Sequence, residues 1–399
     1  MKRIVFILFF IIASLAVSAQ SESMSILLRN TSTRQANIGV YMVNLSTGQP
    51  IDSFRPDNLI PPASVMKLLT TATALETYGE NYCFPTVLEY SGSIVNGVLL
   101  GNLYIHGYGD PVLGSQSQSF LSAWVRAVQD AGIREIQGSV IGDASYFEGD
   151  EFNPGWLYED LGTTYAQGVY ALAYMDNATP DPPLTIAQHF TTRLRQMGVK
   201  VGREAASMLR TDGTHRTAFY THFSEPLSLI IERTNMFSIN LYAETIYRTL
   251  GAKLAVPCTL SHSETYVRRF WHDRGLDLST TIIKDGCGLA PQNGVSARTW
   301  VELLRYMSNS TNIPAYLASL PVSGRSGTLK NLLADTELEG RVHAKSGTIA
   351  GTRNYAGYVY LPNGQRWAFA VLVNSAPCKA KEIQPVIAQY LLDVYRRNL

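Results

Sequence analysis

Asn58-Leu-Ile-Pro-Pro-Ala-Ser64-Val-Met-Lys67-Leu-Leu-Thr-Thr-Ala-Thr-Ala-Leu-Glu-Thr-Tyr-Gly79 is the stretch around which the rest of this chain is read. Pro61 and Pro62 force an extended approach. From Ser64 the pattern turns helical, with Val65, Leu68, Leu69, Ala72 and Leu75 spaced by three and four. Gly79 supplies a C-terminal stop. An apolar stripe is expected to be buried, while Ser64 and Lys67, one turn apart, share a face at the helix start. A hydroxyl beside an amine can share a proton. Taken alone, the pattern fixes only two positions and equally fits a helix start with a solvated lysine.

The chain has 399 residues, four cysteines and seven histidines. It begins Met1-Lys2-Arg3, runs almost without a polar residue from Ile4 to Val17, and continues Val17-Ser18-Ala19-Gln20. A basic start, a short apolar core and small residues at the cleavage positions predict a secretory signal over residues 1–19. The run is too short for a stable membrane span. Its removal takes away Lys2 and Arg3 and no acidic residue, leaving 31 basic against 32 acidic residues. So balanced a charge argues against nucleic acid as a partner. The remaining length is more than one ordinary core and suggests two domains. Cys83, Cys258, Cys287 and Cys378 would enter a compartment where disulfides persist, and three full pairings are open. They lack zinc-ligand spacing, and His262-Ser-Glu264 is the nearest approach to H-E-x-x-H. No metal or cofactor is expected, and the histidines read as structural or surface residues.

Residues 20–35 read as a short amphipathic helix. Ala36 to Asn44 and Ile51 to Phe54 read as a strand hairpin leading into the Ser64 helix. From about Val87 to Asp143, short β-like runs alternate with glycine turns, and Phe120 to Ala131 is a helix. Residues 86–183 are therefore expected to form a smaller, β-rich inserted domain. Residues 20–85 and 184–399 are expected to form the main domain. Helices are predicted over Leu184 to Met197, from Pro226, over Phe237 to Leu250, Glu264 to Arg274, Ser296 to Ser308, and about Lys381 to Arg396. Arg341 to Lys345, Tyr355 to Leu361 and Trp367 to Val373 alternate as strands, with a turn at Pro362-Asn-Gly364. The fold class is α/β (α+β): one sheet, built from the first and last strands, covered by helices.

Two further segments change the weight of Ser64. Ser238-Ile-Asn240 falls between two predicted helices. Lys345-Ser-Gly347-Thr348 falls at the end of a predicted strand. Each is inexpensive alone; an S-x-N triplet recurs at Ser310-Thr-Asn312, and K-S-G can be a plain turn. The ordered set S-x-x-K, S-x-N, K-[ST]-G resembles that of penicillin-binding proteins and serine β-lactamases. The surrounding text narrows the resemblance: Glu232 to Glu244 around the second motif, Asp285-Gly-Cys-Gly-Leu289, Leu320 to Leu329, Gly109-Asp-Pro111, and Ile141-Gly-Asp-Ala-Ser-Tyr-Phe147. Over residues 25–395 the chain is similar to the D-alanyl-D-alanine carboxypeptidase/endopeptidase family of low-molecular-mass, class C penicillin-binding proteins, peptidase family S13. It departs from the family pattern at Ile239, often Asp or Asn, at Ser346, usually Thr, and at Cys287, where the D-G-S-G pattern has Ser. The insertion is also shorter than in members with two inserted domains, which implies that the inner one is absent.

The resemblance implies a penicillin-binding transpeptidase-like catalytic domain and an acyl-enzyme on Ser64. Lys67 would be the base, its pKa lowered by desolvation or by a nearby cation, which Lys345 could supply. Ser238 would pass the proton to the leaving D-alanine, and Asn240 would hold Lys67 and the substrate amide. Lys345, Ser346 and Thr348 would bind the terminal carboxylate on the Gly347 strand, and backbone N–H groups of Ser64 and Thr348 would hold the oxyanion. Asp143 and Tyr146 on the insertion are candidates for reading the stem-peptide side chain, an acid there suiting a free amine; the competing reading has Asp143 capping a turn. The implied partners are peptidoglycan stem peptides and, as covalent inhibitors, β-lactam antibiotics; the implied location is the periplasm. A β-lactamase or esterase on the same fold is the alternative, but neither E-x-x-L-N nor a Tyr-x-Asn second motif is present. An inactive wall-binding scaffold would not need the full set of motif side chains.

Overall fold

The computed structural model describes residues 21–399, so the expected leader lies outside the described residues. The chain enters through a short helix, Met24–Arg29, and then β1 (Asn37–Asn44) and β2 (Pro50–Phe54), which pair antiparallel. The inserted stretch contributes β3 (Pro85–Tyr90), β4 (Ser93–Val95), β5 (Val98–Leu100), β6 (Leu103–Gly107), β7 (Glu135–Ile136), β8 (Val140–Asp143), β9 (Lys200–Val201), β10 (Ala206–Met208) and β11 (Thr217–Phe223). The chain ends with β12 (Val342–Ile349), β13 (Thr352–Tyr360), β14 (Arg366–Asn374) and the helix Ala380–Arg397.

The main sheet runs β12-β13-β14-β1-β2. Its last strand in sequence lies against its first, with Asn37 opposite Asn374 and Asn44 opposite Trp367. Side chains alternate between the two faces of a strand. On β14, Trp367, Phe369, Val371 and Val373 join a core with the C-terminal helix residues Ile383, Ile387 and Tyr390. Ala368, Ala370 and Leu372 face the other way, into a core with Trp300, Val301 and Leu304 of the helix Ala297–Ser308 and with the nucleophile helix. A sheet covered on both faces buries β14 without a break from Trp367 to Val373, in place of the alternation expected of it,.

The helix Met66–Tyr78 differs from its expected amphipathic form. Every residue from Met66 to Leu75 is buried, Lys67 and three threonines included. Burial of those hydroxyls is tolerable because each is bonded. Thr71 and Thr73 donate back to the carbonyls of Lys67 and Leu69, at 2.7 and 2.6 Å, and Thr70 donates to the Gly286 carbonyl at 2.6 Å. Trp271 Nε1 donates to the Thr73 hydroxyl at 2.8 Å.

The insertion also extends further than the expected 86–183. Its larger sheet has the order β10-β8-β6-β3-β11, so residues 206–208 and 217–223 belong to it by strand pairing. The smaller sheet, β4-β5-β7-β9, likewise takes in residues 200–201. The helix Pro182–Gln196 packs on β8 and β10. Asp181 caps that helix by accepting from the Leu184 N–H at 2.9 Å, with prolines in its first turn,. We therefore place the inserted unit at about residues 85–224. No helix among the described residues is long and apolar enough to cross a membrane.

Candidate active site

Ser64 lies in a 3-10 turn, Ala63–Val65, that feeds the Met66–Tyr78 helix. Ala63 is in the left-handed region with φ 47°. Ser238, between the helices Leu227–Met236 and Asn240–Leu250, is there as well, with φ 60°. A non-glycine residue in this region costs on the order of 1 kcal/mol or more and persists only where its surroundings impose it. Lys345 to Thr348 lie within β12, not at its end, because the strand runs on to Ile349.

The three motifs meet. Lys67 Nζ is 3.0 Å from Ser64 Oγ, 2.6 Å from Asn240 Oδ1 and 2.8 Å from the Cys287 carbonyl oxygen. Lys345 Nζ donates to Ser238 Oγ at 3.0 Å and to its neighbour's carbonyl, Ser346 O, at 2.9 Å. Ser346 donates to Thr328 Oγ1 at 2.8 Å, and the Thr348 hydroxyl accepts from the Arg353 guanidinium. Asn240 Nδ2 donates to the Tyr165 carbonyl at 2.8 Å, which brings a loop of the insertion to the cleft. Cys287, the departure from D-G-S-G, reaches Lys67 only through its backbone; its thiol faces Asp285 Oδ2 at 3.5 Å.

Burial drives the Lys67 amine down to about 8, against the opposing pull of Cys287, Asp285 and Glu244. Of the two causes expected, desolvation and a neighbouring cation, desolvation dominates,. The mutual repulsion is felt by Lys345, which burial, then Lys67 and Arg353, hold well below the ordinary lysine range. A lysine that gives up its proton near neutrality, hydrogen-bonded to a hydroxyl, can serve as a base toward it.

Asp143 and Tyr146 are placed elsewhere. Asp143 is buried at the end of β8, where its carboxylate accepts from Arg216 at 2.5 Å and from the Ser145 N–H at 2.8 Å. It is a turn-capping, ion-paired carboxylate, so the free acid expected for an incoming amine is not what it presents. The Tyr146 ring packs on Tyr108 at 4.9 Å. Among the described residues, no hydrogen bond joins either of them to the three motifs. His262 accepts from the Thr259 N–H at a helix cap, a structural role. All four cysteines are free thiols.

Among the described residues, Glu244, Asp285 and Cys287 are the group whose potential metal-ligand atoms cluster, within 4.8 Å. All four carboxylate oxygens already accept from protein donors. Glu244, the Cys287 carbonyl, Thr328 and Arg353 were missed in the sequence. Only Arg353 left a signal, since the β12–β13 hairpin sets it opposite Thr348.

The family model of the D-Ala-D-Ala carboxypeptidase 3 (S13) family matches residues 20–180 and 175–394. The chain belongs to the S13 family. A D-alanyl-D-alanine carboxypeptidase of Actinomadura sp. (strain R39) is 26% identical, over 88% of this S13 chain and 80% of its own length. One from Haemophilus influenzae is 22% identical, over 85% of each. The crystal structure of penicillin-binding protein 4 from Haemophilus influenzae shares the fold, with a TM-score of 0.82 at 20% identity, covering 96% of this chain and 99% of that one.

Proposed function

We propose that this S13 protein is a serine D-Ala-D-Ala peptidase of peptidoglycan that works through an acyl-enzyme on Ser64. The observation that carries the reading is the 3.0 Å contact between Ser64 Oγ and a buried Lys67 amine that Asn240 also holds. Neutral Lys67 takes the Ser64 proton as the oxygen attacks the carbonyl of the penultimate D-alanine. Backbone N–H groups of Ser64 and Thr348 receive the oxyanion. Ser238, bonded to Lys345, passes a proton to the departing D-alanine nitrogen. Lys345, Ser346 and Thr348, with Arg353 beside them, bind the terminal carboxylate. Gly347 lets the strand carrying these groups lie close to the Ser64 turn. Water then cleaves the ester. β-Lactam antibiotics acylate the same serine. The basic, apolar, small-residue start of the chain supports export to the periplasm.

The test is incubation with a labelled penicillin and with a D-Ala-D-Ala pentapeptide. A slowly released covalent adduct together with free D-alanine is expected. Rapid penicillin turnover without D-alanine release points to a β-lactamase instead. Labelling that survives Ser64→Ala removes the nucleophile from Ser64. Digestion of cross-linked muropeptides then separates carboxypeptidase from endopeptidase action.

A further inference from the structure

Two fully buried carboxylates, Glu244 and Asp285, have no part in the steps above. Glu244 lies one turn beyond Asn240 on the same helix,. Its Oε2 accepts from the Gly286 N–H at 2.7 Å and its Oε1 from Asn153 Nδ2 at 2.9 Å. Asp285 accepts from the N–H groups of Gly288 and Ala290, each at 2.7 Å, from Asn293 Nδ2 at 2.8 Å and from Trp156 Nε1 at 3.0 Å. The Thr70 hydroxyl ties the Gly286 carbonyl to the nucleophile helix. Between these ties stands the Cys287 carbonyl, which accepts from Lys67 at 2.8 Å. An ammonium has three protons to place. Ser64, Asn240 and Cys287 accept all three, and two of those acceptors are set by the helix that carries Glu244.

We propose that Glu244 is a positioning residue for the general base, fixing the Cys287 carbonyl through the Gly286 N–H and adding its charge to that of Asp285 in holding Lys67 as an ammonium between turnovers. This rests on the assignment of Lys67 as the base of Ser64. The charged and titratable groups around Glu244 and Lys67 are Tyr247 and Arg248 from the helix Asn240–Leu250, Asp285 and Cys287 from the loop, and Lys345 from β12 with Arg353 beyond it. Burial, then the charge of Asp285, holds Glu244 above the usual carboxylate range, while Arg248 pulls the other way. Ionised Glu244 strengthens the hold on the Lys67 proton.

The sign follows. Removing a negative charge beside a cation makes the cation give up its proton at lower pH. In Glu244→Gln, the acid limb of the Ser64 acylation rate with labelled penicillin should move to lower pH by on the order of one unit. A purely structural role predicts a lower rate at every pH with the limb in place, and that result overturns the charge assignment. Glu244→Asp keeps the charge but withdraws it from the Gly286 N–H. There the limb should stay and the rate should fall about tenfold; a wild-type rate overturns the positioning assignment. If Glu244→Gln does not fold, the uncharged Glu244→Met is read for the same shift of the acid limb, since an apolar side chain of similar volume is tolerated in place of a buried charge. Ser64→Ala run alongside separates this proposal from the one it rests on, since adduct surviving that change defeats the function itself, whatever Glu244 does.

Discussion

Gly347 of β12 passes so close to Pro62 that a side chain on it would meet the Pro62 carbonyl oxygen at 2.4 Å. The turn is gripped from the other side as well, where a Cβ on Gly288 would lie 1.8 Å from the Ala63 carbonyl oxygen. Asn354 Nδ2 donates to the Pro61 carbonyl at 2.9 Å and completes the grip. The serine is thus held between two backbones that tolerate no side chain.

Gly347→Ala should therefore damage the cleft more than the fold. The strand or the turn must move, at about 1–3 kcal/mol, and displacement of this kind at a nucleophile costs roughly a hundredfold in rate. Thermal melts and penicillin acylation rates, taken on the same preparation, give both quantities. Wild-type acylation by the variant would show that the close approach has no bearing on the site.

Acylation should rise with pH up to about 8. Burial has lowered Lys67 to about 8, so the neutral amine that can accept the Ser64 proton grows as the pH climbs toward that value and levels off above it,. At pH 7 roughly a tenth of the molecules carry the base in working form. A rate that declines between pH 6 and 8 would contradict Lys67 as the base.

Lys67→Met should slow acylation by roughly 10²–10⁴-fold, the range for loss of a positioned base. The protein should stay folded, because the change removes an ammonium that burial disfavours. Circular dichroism with labelled-penicillin gels distinguishes the two effects.

Arg353→Gln should weaken binding of peptides that end in a free carboxylate. Its guanidinium meets the Thr348 hydroxyl at the carboxylate end of the cleft. An increase in KM of about tenfold with kcat little changed is expected, the value of one charged hydrogen bond. An equal loss on an amidated peptide would argue against carboxylate recognition.

Cys287→Ser should retain acylation within about threefold, because only the backbone carbonyl of residue 287 reaches Lys67,. A hydroxyl can take over the thiol's contact with Asp285. Stopped labelling in this variant would mean that the thiol itself matters.

The three motifs, the β12–β14 hairpins and the C-terminal helix were legible because local pattern decides them. Other parts were not, for identifiable reasons. The threonines of Met66–Tyr78 look like a solvated face, and only their partners, such as Gly286 and Trp271, show that the helix is buried all round. The strands β9 and β10 are only two and three residues long, so their membership in the insertion depends on pairing with distant residues and left no periodicity to read. The Cys287 carbonyl is a backbone group that any residue would supply. Asp143 was visible as an acid, but its ion pair with Arg216, just ahead of β11, was not. For the lowered pKa of Lys67 the sequence leaves desolvation and a neighbouring cation both open, because charge is written in a sequence and burial is not.

The pairing of β1 with β14 sets an order of assembly. The insertion is built from one uninterrupted stretch, and its sheets need nothing made after about residue 224. The main sheet needs β12 to β14, so β1 must wait for nearly the whole chain before it finds its neighbour,. Lys345, delivered on β12, arrives last at a serine made early. A chain that stops short of β12 can pair the sheets of the insertion but cannot cut a peptide bond, so a partly made copy poses no threat to the wall on which its finished form acts.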